Sequence, residues 1–240
     1  MGAAEYGGGD TTTTLARPSR VAAHSRRFKV SHEELDCGVA LQSWLGCCTL
    51  DKHMASVIQS IAGEYRRYKA LAEGALAQLS DGEICAPAPG GGNSIATICW
   101  HISGNLRSRF TDFLTSDGEK PWRNREEEFQ ARSVARAELL AHWEQAWSPL
   151  LTTMEALDDP DLGRTVTIRG QALGVAEALH RSLAHTSYHV GQVLYAARAS
   201  RGAAWRFLSI PPGQSAAFNG SPGLQKPDAQ AAWVRRSSGA

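Results

Sequence analysis

The sequence predicts an all-α protein whose core is a four-helix bundle. Four long stretches carry apolar residues at steps of three and four, the period of an amphipathic helix. Turn residues separate these stretches, and only TVTIRG at residues 165–170 shows the alternation of a strand. Four amphipathic helices in one domain bury their apolar stripes against one another, which favours a bundle.

The first two helices follow a low-complexity leader. The first begins at Met54 and ends near SDGE at residues 80–83, with an apolar stripe that includes Ile58 and Leu76. The loop APAPGGGN follows, and Asn93 or Ser94 can cap the second helix. This second helix is predicted over residues 94–115.

The third helix is predicted over residues 129–157 and ends where DDPDLGR supplies helix-breaking residues. TVTIRG is too short for a helix, so it is an extended connector or one strand of a small ribbon. The fourth helix is predicted over residues 171–200, with Leu179, Leu183 and Leu194 in its apolar stripe.

These elements predict three regions. Residues 1–53 have no sustained period, which indicates a disordered leader or a mis-assigned start. Residues 54–219 form the helical domain. Residues 220–240 are predicted to be a disordered tail.

Composition disfavours several classes of protein. The formal net charge of +1 and the interleaved charges give no basic surface for nucleic acid. The best candidate for a membrane span, CGVALQSWLGCCTL, is charge-free for 14 residues, short of the ~20 that a span needs. The 5 cysteines lack a CxxC pair, which predicts a reduced, cytoplasmic protein without a zinc cluster of that type.

Two histidines in HTSYHVGQ, His185 and His189, stand four residues apart on the fourth helix. At ~100° per residue they lie more than ~90° from the apolar stripe, among small or polar residues. His101 on the second helix is offset from its own stripe in the same way. The three therefore line a cleft or an open surface rather than a packed core.

A histidine pair at this spacing can bind one ion, and a third ligand from another helix would complete a three-histidine site. Neutral imidazoles suit Zn²⁺, Ni²⁺ or Fe²⁺, and three protein ligands leave a position open for water or substrate. Thr186 follows His185, so the HExxH motif of zinc proteases is excluded. Such pairs also occur by chance, so the residues alone leave the site open.

The order of these elements resembles the DinB-like (DinB/YfiT-type) superfamily of metal-binding four-helix proteins. The resemblance is carried by ICWHISGN and by HRSLAHTSYHVGQVLY, and its most specific part is HxxxHxGQ. Further stretches, including LSIPPGQS, resemble one uncharacterised branch of that superfamily. The similarity covers about residues 54–219.

The resemblance implies an up-up-down-down bundle, often a homodimer, with a divalent ion held by three histidines. Matched by position, the ligands are His101, His185 and His189. The resemblance also implies relatives that are thiol-dependent transferases or isomerases using bacillithiol, mycothiol or glutathione. Shared fold does not fix which chemistry this branch performs.

The leading hypothesis is therefore a metal-dependent thiol S-transferase, or a related detoxifying enzyme, that acts on a small molecule. Gln192 and Asn105, each one turn beyond a ligand, are candidates to orient water or substrate. Hydrolysis by a metal-activated water stays open, although no general base can be named. Two rival hypotheses are a non-catalytic metal-binding stress protein and a helical interaction module with an empty site.

Several further residues carry weaker hypotheses. Arg123, Arg125 and Arg169 can bind an anionic cofactor or can be solvated loop charges. Trp100 and Tyr188 flank the histidines in sequence but point away on the wheel, which predicts packing roles.

Overall fold

The computed structural model describes residues 56–88 and 90–239, and the expected leader at residues 1–53 lies outside this part. The described chain is mostly helical, which confirms the coarse prediction. The bundle and its up-up-down-down order stay predictions. The elements are α1 (Val57–Leu76), α2 (Asp81–Cys85), α3 (Ile95–Phe110), α4 (Arg125–Glu128), α5 (Arg136–Ala156), β1 (Thr165–Ile168), β2 (Gln171–Gly174), α6 (Val175–Arg201), α7 (Ser215–Gly220) and α8 (Pro227–Ser238).

The start of α1 is held by a residue distant in sequence. The carboxylate of Asp159 accepts hydrogen bonds from the backbone N–H groups of Val57 and Ile58, at 3.0 and 2.9 Å. It also accepts one from the Ser56 hydroxyl at 2.6 Å. These bonds lower the pKa of Asp159, and its charge complements the positive end of the helix dipole.

Three predicted helix boundaries need correction. The second predicted helix ends at Phe110 rather than residue 115, because Asp112 adopts a positive φ of 51°. The third begins at Arg136 rather than residue 129, after a non-helical stretch. The fourth begins at Val175 rather than residue 171, because the preceding residues form β2.

The extended connector forms one half of a β-hairpin. β1 pairs antiparallel with β2, with Ile168 opposite Gln171, and the turn consists of Arg169 and Gly170. Asp117 accepts hydrogen bonds from the backbone N–H groups of both turn residues, at 2.8 and 2.7 Å. The hairpin is therefore tied to the loop that follows α3.

The long helices pack around α1 and α3. Helix α3 lies against α5 and α6, and α1 lies against α5, α6 and α8. Fully buried aromatic side chains fill the space between them, with Tyr65 edge-on to both Phe110 and Trp147. This packing holds α3 and α6 side by side, and the three candidate ligands lie on these two helices.

The C-terminal region differs from the disordered tail expected at residues 220–240. Helix α8 lies there, with Ala231 and Val234 fully buried against α1. Gly63 and Gly74 of α1 face α8, and Arg66 forms a salt bridge with Asp228. This short helix is stabilised by its packing against α1. The composition of residues 220–240 alone did not indicate that packing.

No helix in the described ranges has both the length and the apolar character needed to cross a membrane.

Gly74→Ala is expected to destabilise the protein, because the new Cβ would lie 2.6 Å from Val234 Cγ1. Overpacking of this kind costs about 1–3 kcal/mol, more than the helix propensity that alanine gains. Gly63→Ala is the matched control, since its Cβ would lie at an ordinary 3.5 Å from Pro227. Urea denaturation should give a lower midpoint for Gly74→Ala and an unchanged or higher one for Gly63→Ala. Equal midpoints would contradict the described packing of α8.

Candidate metal centre

Three histidines from two helices meet at one point. His101 comes from α3, and His185 and His189 come from adjacent turns of α6. One ring nitrogen of each lies within 4.8 Å of the corresponding atoms of the others. The Nε2 atoms of His101 and His185 are 3.2 Å apart. The structure thus brings together the three residues that the sequence singled out, here called the histidine cluster.

Hydrogen bonds orient two of these rings. Nδ1 of His101 lies 2.9 Å from Oε2 of Glu128, and Nδ1 of His189 lies 2.8 Å from Oε1 of Gln192. An ionised carboxylate can only accept, so Nδ1 of His101 carries the proton and its Nε2 presents a lone pair. A carboxylate or carbonyl oxygen behind a ligating histidine is the usual support of a metal site.

An unpaired nitrogen in the cluster fits a cation. Nε2 of His189 is buried without a hydrogen-bond partner in the described chain. Buried polar atoms are nearly always paired, so this nitrogen calls for an additional partner. Two nitrogens on a tetrahedral zinc ion stand about 3.3 Å apart, given Zn–N bonds of about 2.0–2.1 Å, which agrees with the spacing of His101 and His185. The residues therefore fit a divalent ion.

Burial favours the neutral form of two of the three rings. Desolvation first, and then repulsion from His189 and His101, lowers the pKa of His185 to about 3. Desolvation also lowers the pKa of His189, although its hydrogen bond with Gln192 acts in the opposite direction. Neutral imidazole is the form that binds metals, so these shifts favour the ligand protonation state of His185 and His189.

Glu128 reaches His101 because Gly104 leaves room for it. A Cβ on Gly104 would lie 2.1 Å from Oε1 of Glu128. Arg123 donates to the same carboxylate from Nε and Nη2, at 2.8 and 3.0 Å. Burial acts to raise the pKa of Glu128, but the bonds with His101 and Arg123 outweigh it and hold this pKa below its usual range.

The histidine cluster lies on the wall of a cavity of about 590 Å³. Asn105 and the three predicted anion-binding residues, Arg123, Arg125 and Arg169, line the same cavity. Gln192 does not line it and supports His189 from a neighbouring depression. The remaining lining residues are Arg109, Phe110, Phe113, Phe129, Ile168, Gln171, Leu173, Ala178, Arg181, Ser182 and Tyr188.

Sequence reasoning missed or misplaced some of these residues. The sequence did not indicate a role for Glu128, because this residue belongs to a short helix after an irregular loop, where no apolar period shows the direction of a side chain. Tyr188 was expected to pack, yet it is 54% exposed and its ring centroid lies 4.1 Å from that of His189. Trp100 does have a packing role, since it stacks on His142 at 3.8 Å.

Comparison with known proteins identified a family. A family model described as Protein of unknown function (DUF1572) matches residues 52–214, more than half of the chain. Neither the curated proteins nor the solved structures gave a match. Membership of the DinB-like superfamily stays a prediction.

We expect the metal-free protein to lose stability as the pH falls from about 6.5 towards 3. An unfolded histidine titrates near pH 6.5, whereas folded His185 resists protonation until about pH 3. Between these two pH values the unfolded chain binds a proton at residue 185 and the folded chain does not. The contribution of His185 to the free energy of unfolding is therefore fully present above pH 6.5 and decreases as the pH falls below it. The loss from one such group is at most about 1.4 kcal/mol per pH unit.

Denaturant titrations between pH 7 and pH 5, in the presence of a chelator, measure this effect. His185→Gln should flatten the dependence of stability on pH. His180→Gln removes an exposed histidine from the same helix and serves as the control. Identical slopes for the wild type and His185→Gln would contradict the described burial.

Proposed function

Because the chain belongs to the DUF1572 family, whose description names no activity, we propose its function from the site: it is a divalent-metal-dependent thiol S-transferase. The observation that carries the proposal is the histidine cluster, whose nitrogens converge on one point beside a cavity large enough for a small molecule. The finer assignment to a thiol enzyme also rests on the resemblance to DinB-like proteins.

His101, His185 and His189 would hold a Zn²⁺, Ni²⁺ or Fe²⁺ ion. A bound ion lowers the pKa of a thiol placed beside it, so that the nucleophilic thiolate is populated near neutral pH. Glu128 and Gln192 fix the rings of His101 and His189 by holding their Nδ1 positions. These two residues act on the orientation of the ligands and do not line the cavity.

The lining of the cavity favours a thiol over water as the nucleophile. No Asp or Glu is among the lining residues in the described chain. Hydrolysis at a metal site commonly uses a carboxylate as general base, whereas a thiol loses its proton more readily and needs none. Asn105 reaches the cavity as a hydrogen-bonding group that carries no charge.

The transfer itself would be a substitution. The thiolate sulfur forms a bond to an electrophilic carbon, the leaving group departs with the bonding electron pair, and the thiol proton passes to solvent. Phe110, Phe113 and Leu173 line the cavity and would accept the apolar body of the electrophile. The reaction therefore combines two small molecules and needs no further cofactor.

The proposal also includes a cytoplasmic homodimer. It follows the resemblance to DinB-like proteins and the absence of CxxC pairs in the sequence. Tyr188 and Tyr195 lie seven residues apart on one face of α6 and are 54% and 76% exposed, so they offer an aromatic surface for a second copy.

A non-catalytic metal-binding protein is the second candidate. The same lack of an acidic lining residue supports it, because a site without a carboxylate to act as general base suits an ion that only stabilises the fold. Such an ion would raise the melting temperature without turnover.

His185→Ala tests both candidates. The wild type, purified without chelators, is expected to contain about one divalent ion per chain by elemental analysis and to conjugate glutathione to a chlorinated nitroarene. The variant should lose both properties, while His180→Ala should keep them. Bound metal without turnover of any thiol would leave the second candidate, and absence of metal from the wild type would exclude both.

Glu128→Gln is expected to weaken metal binding by about 10–100-fold, because a neutral amide polarises His101 less than a carboxylate does. The matched control is Glu126→Gln, whose carboxylate is 86% exposed and has no contact with the cluster. Competition with a chromogenic chelator gives both affinities. Equal affinities for the two variants would argue against the supporting role of Glu128.

A further inference from the structure

Five arginines line the cavity of the histidine cluster. They come from four separate parts of the chain: α3, the segment that includes α4, the hairpin turn and α6. Their shared position is therefore a product of the fold rather than of one basic stretch. Concave surfaces lined by one sign of charge attract ligands of the opposite sign. The five are Arg109, Arg123, Arg125, Arg169 and Arg181.

Nearby carboxylates only partly neutralise this charge. Oε2 of Glu119 accepts hydrogen bonds from Arg109 and from Arg169 at 3.0–3.2 Å, and Nη1 of Arg123 lies 3.7 Å away from it. One carboxylate thus forms ion pairs with three guanidinium groups. Arg181 has no salt bridge with any described residue.

Arg123 supplies the most specific indication of a ligand. Its side chain is 2% exposed, and its Nε and Nη2 atoms are bound to Glu128. Its Nη1 atom is buried without a hydrogen-bond partner in the described chain. A buried cationic donor without an acceptor is costly, and an acid oxygen in the cavity would supply that acceptor.

Arg169 occupies a turn position that suits other residues better. Its φ is 55° and that of Gly170 is 70°, a two-residue hairpin turn that favours Asn-Gly. An arginine in this backbone conformation carries local strain, and such strain is concentrated at functional sites. This residue also lines the cavity.

We propose that these arginines bind an acid group of the substrate, so that the thiol used by this protein is an anionic one. A carboxylate or phosphate would lie on Arg123, Arg169 and Arg181, and the sulfur would lie at the histidine cluster. Glu128 contacts both Arg123 and His101, so a chain of a few carbons spans the two ends. The position of the sulfur rests on the proposed function, whereas that of the acid group does not.

Calorimetry on the full-length, chelator-treated protein at low ionic strength tests the acid site by itself. The probes are succinate, inorganic phosphate and the neutral isostere succinamide. We expect succinate or phosphate to bind at least about tenfold more tightly than succinamide, because charge-assisted hydrogen bonds are the stronger ones. The tighter of the two anions identifies the acid group as a carboxylate or a phosphate.

Two variants and a control connect this binding to the named residues. Arg181→Gln and Arg169→Asn should each weaken binding of the anion by about tenfold. Asn suits the positive φ at position 169, so that variant should melt at the same or a higher temperature and its loss of binding is not unfolding. Arg198→Gln, on α6 but stacked on Phe207 outside the cavity, should bind normally. Failure of both succinate and phosphate to bind more tightly than succinamide, or an equal loss in Arg198→Gln, would overturn the proposal.

Turnover of the metal-loaded protein separates this inference from the proposed function. The substrates are 3-mercaptopropionate and its neutral amide, with the same electrophile. Faster turnover of 3-mercaptopropionate than of its amide supports both the transferase function and the acid site. Equal turnover of the two thiols supports the transferase function but rejects the acid site. Anion binding in the chelated protein without turnover of either thiol rejects the transferase and keeps the acid site.

Discussion

The buried carboxylate of Glu128 is the contact on which the candidate site depends. A charge in this position is tolerated only when donors satisfy its oxygens, and here His101 and Arg123 do so. The same bonds fix which nitrogen of His101 faces the cluster and keep Arg123 beside the cavity. Gly104 is part of this constraint, because any side chain there would occupy the space of the carboxylate. One contact therefore links the ligand geometry to the charge of the cavity.

Much of this arrangement could be predicted from the sequence because it lies on long helices. The apolar period located α1, α3, α5 and α6, and the offset of His101, His185 and His189 from that period predicted that they line a cleft or an open surface rather than a packed core. The i, i+4 spacing fixes two rings on one helix face without any tertiary information.

The rest could not be predicted, because it depends on irregular chain. Glu128 comes to His101 through the loop after α3, whose course is set by the bonds of Asp117 to the hairpin turn. Short segments such as β2 gain their structure from a partner rather than from their own period. The packing role predicted for Tyr188 was wrong, because a helical wheel gives only the direction in which a side chain leaves the helix axis. The long Tyr188 side chain bends along the helix surface to contact the rings of His185 and His189.

The charges around the cavity also connect its two ends. A divalent ion at the histidine cluster would stand among five arginines, and the repulsion between like charges would weaken its binding. An acid group on the arginines would relieve that repulsion. Ion and anion would therefore each increase the affinity of the other by the same factor, as linkage between two sites requires.

Helix α8 has a consequence for how relatives of this chain can be compared. The shared region spans residues 52–214, yet α1 packs against a helix that lies beyond its end. Gly63 and Gly74 lie inside the region that the family model matches, and both are small where α8 approaches α1. The residue types at these two positions therefore indicate whether a helix such as α8 follows the matched region. Family members that keep small residues at both positions should carry a C-terminal helix of this kind. Members with bulky residues there should end earlier or cover α1 in another way, which divides the family by architecture before any activity is known.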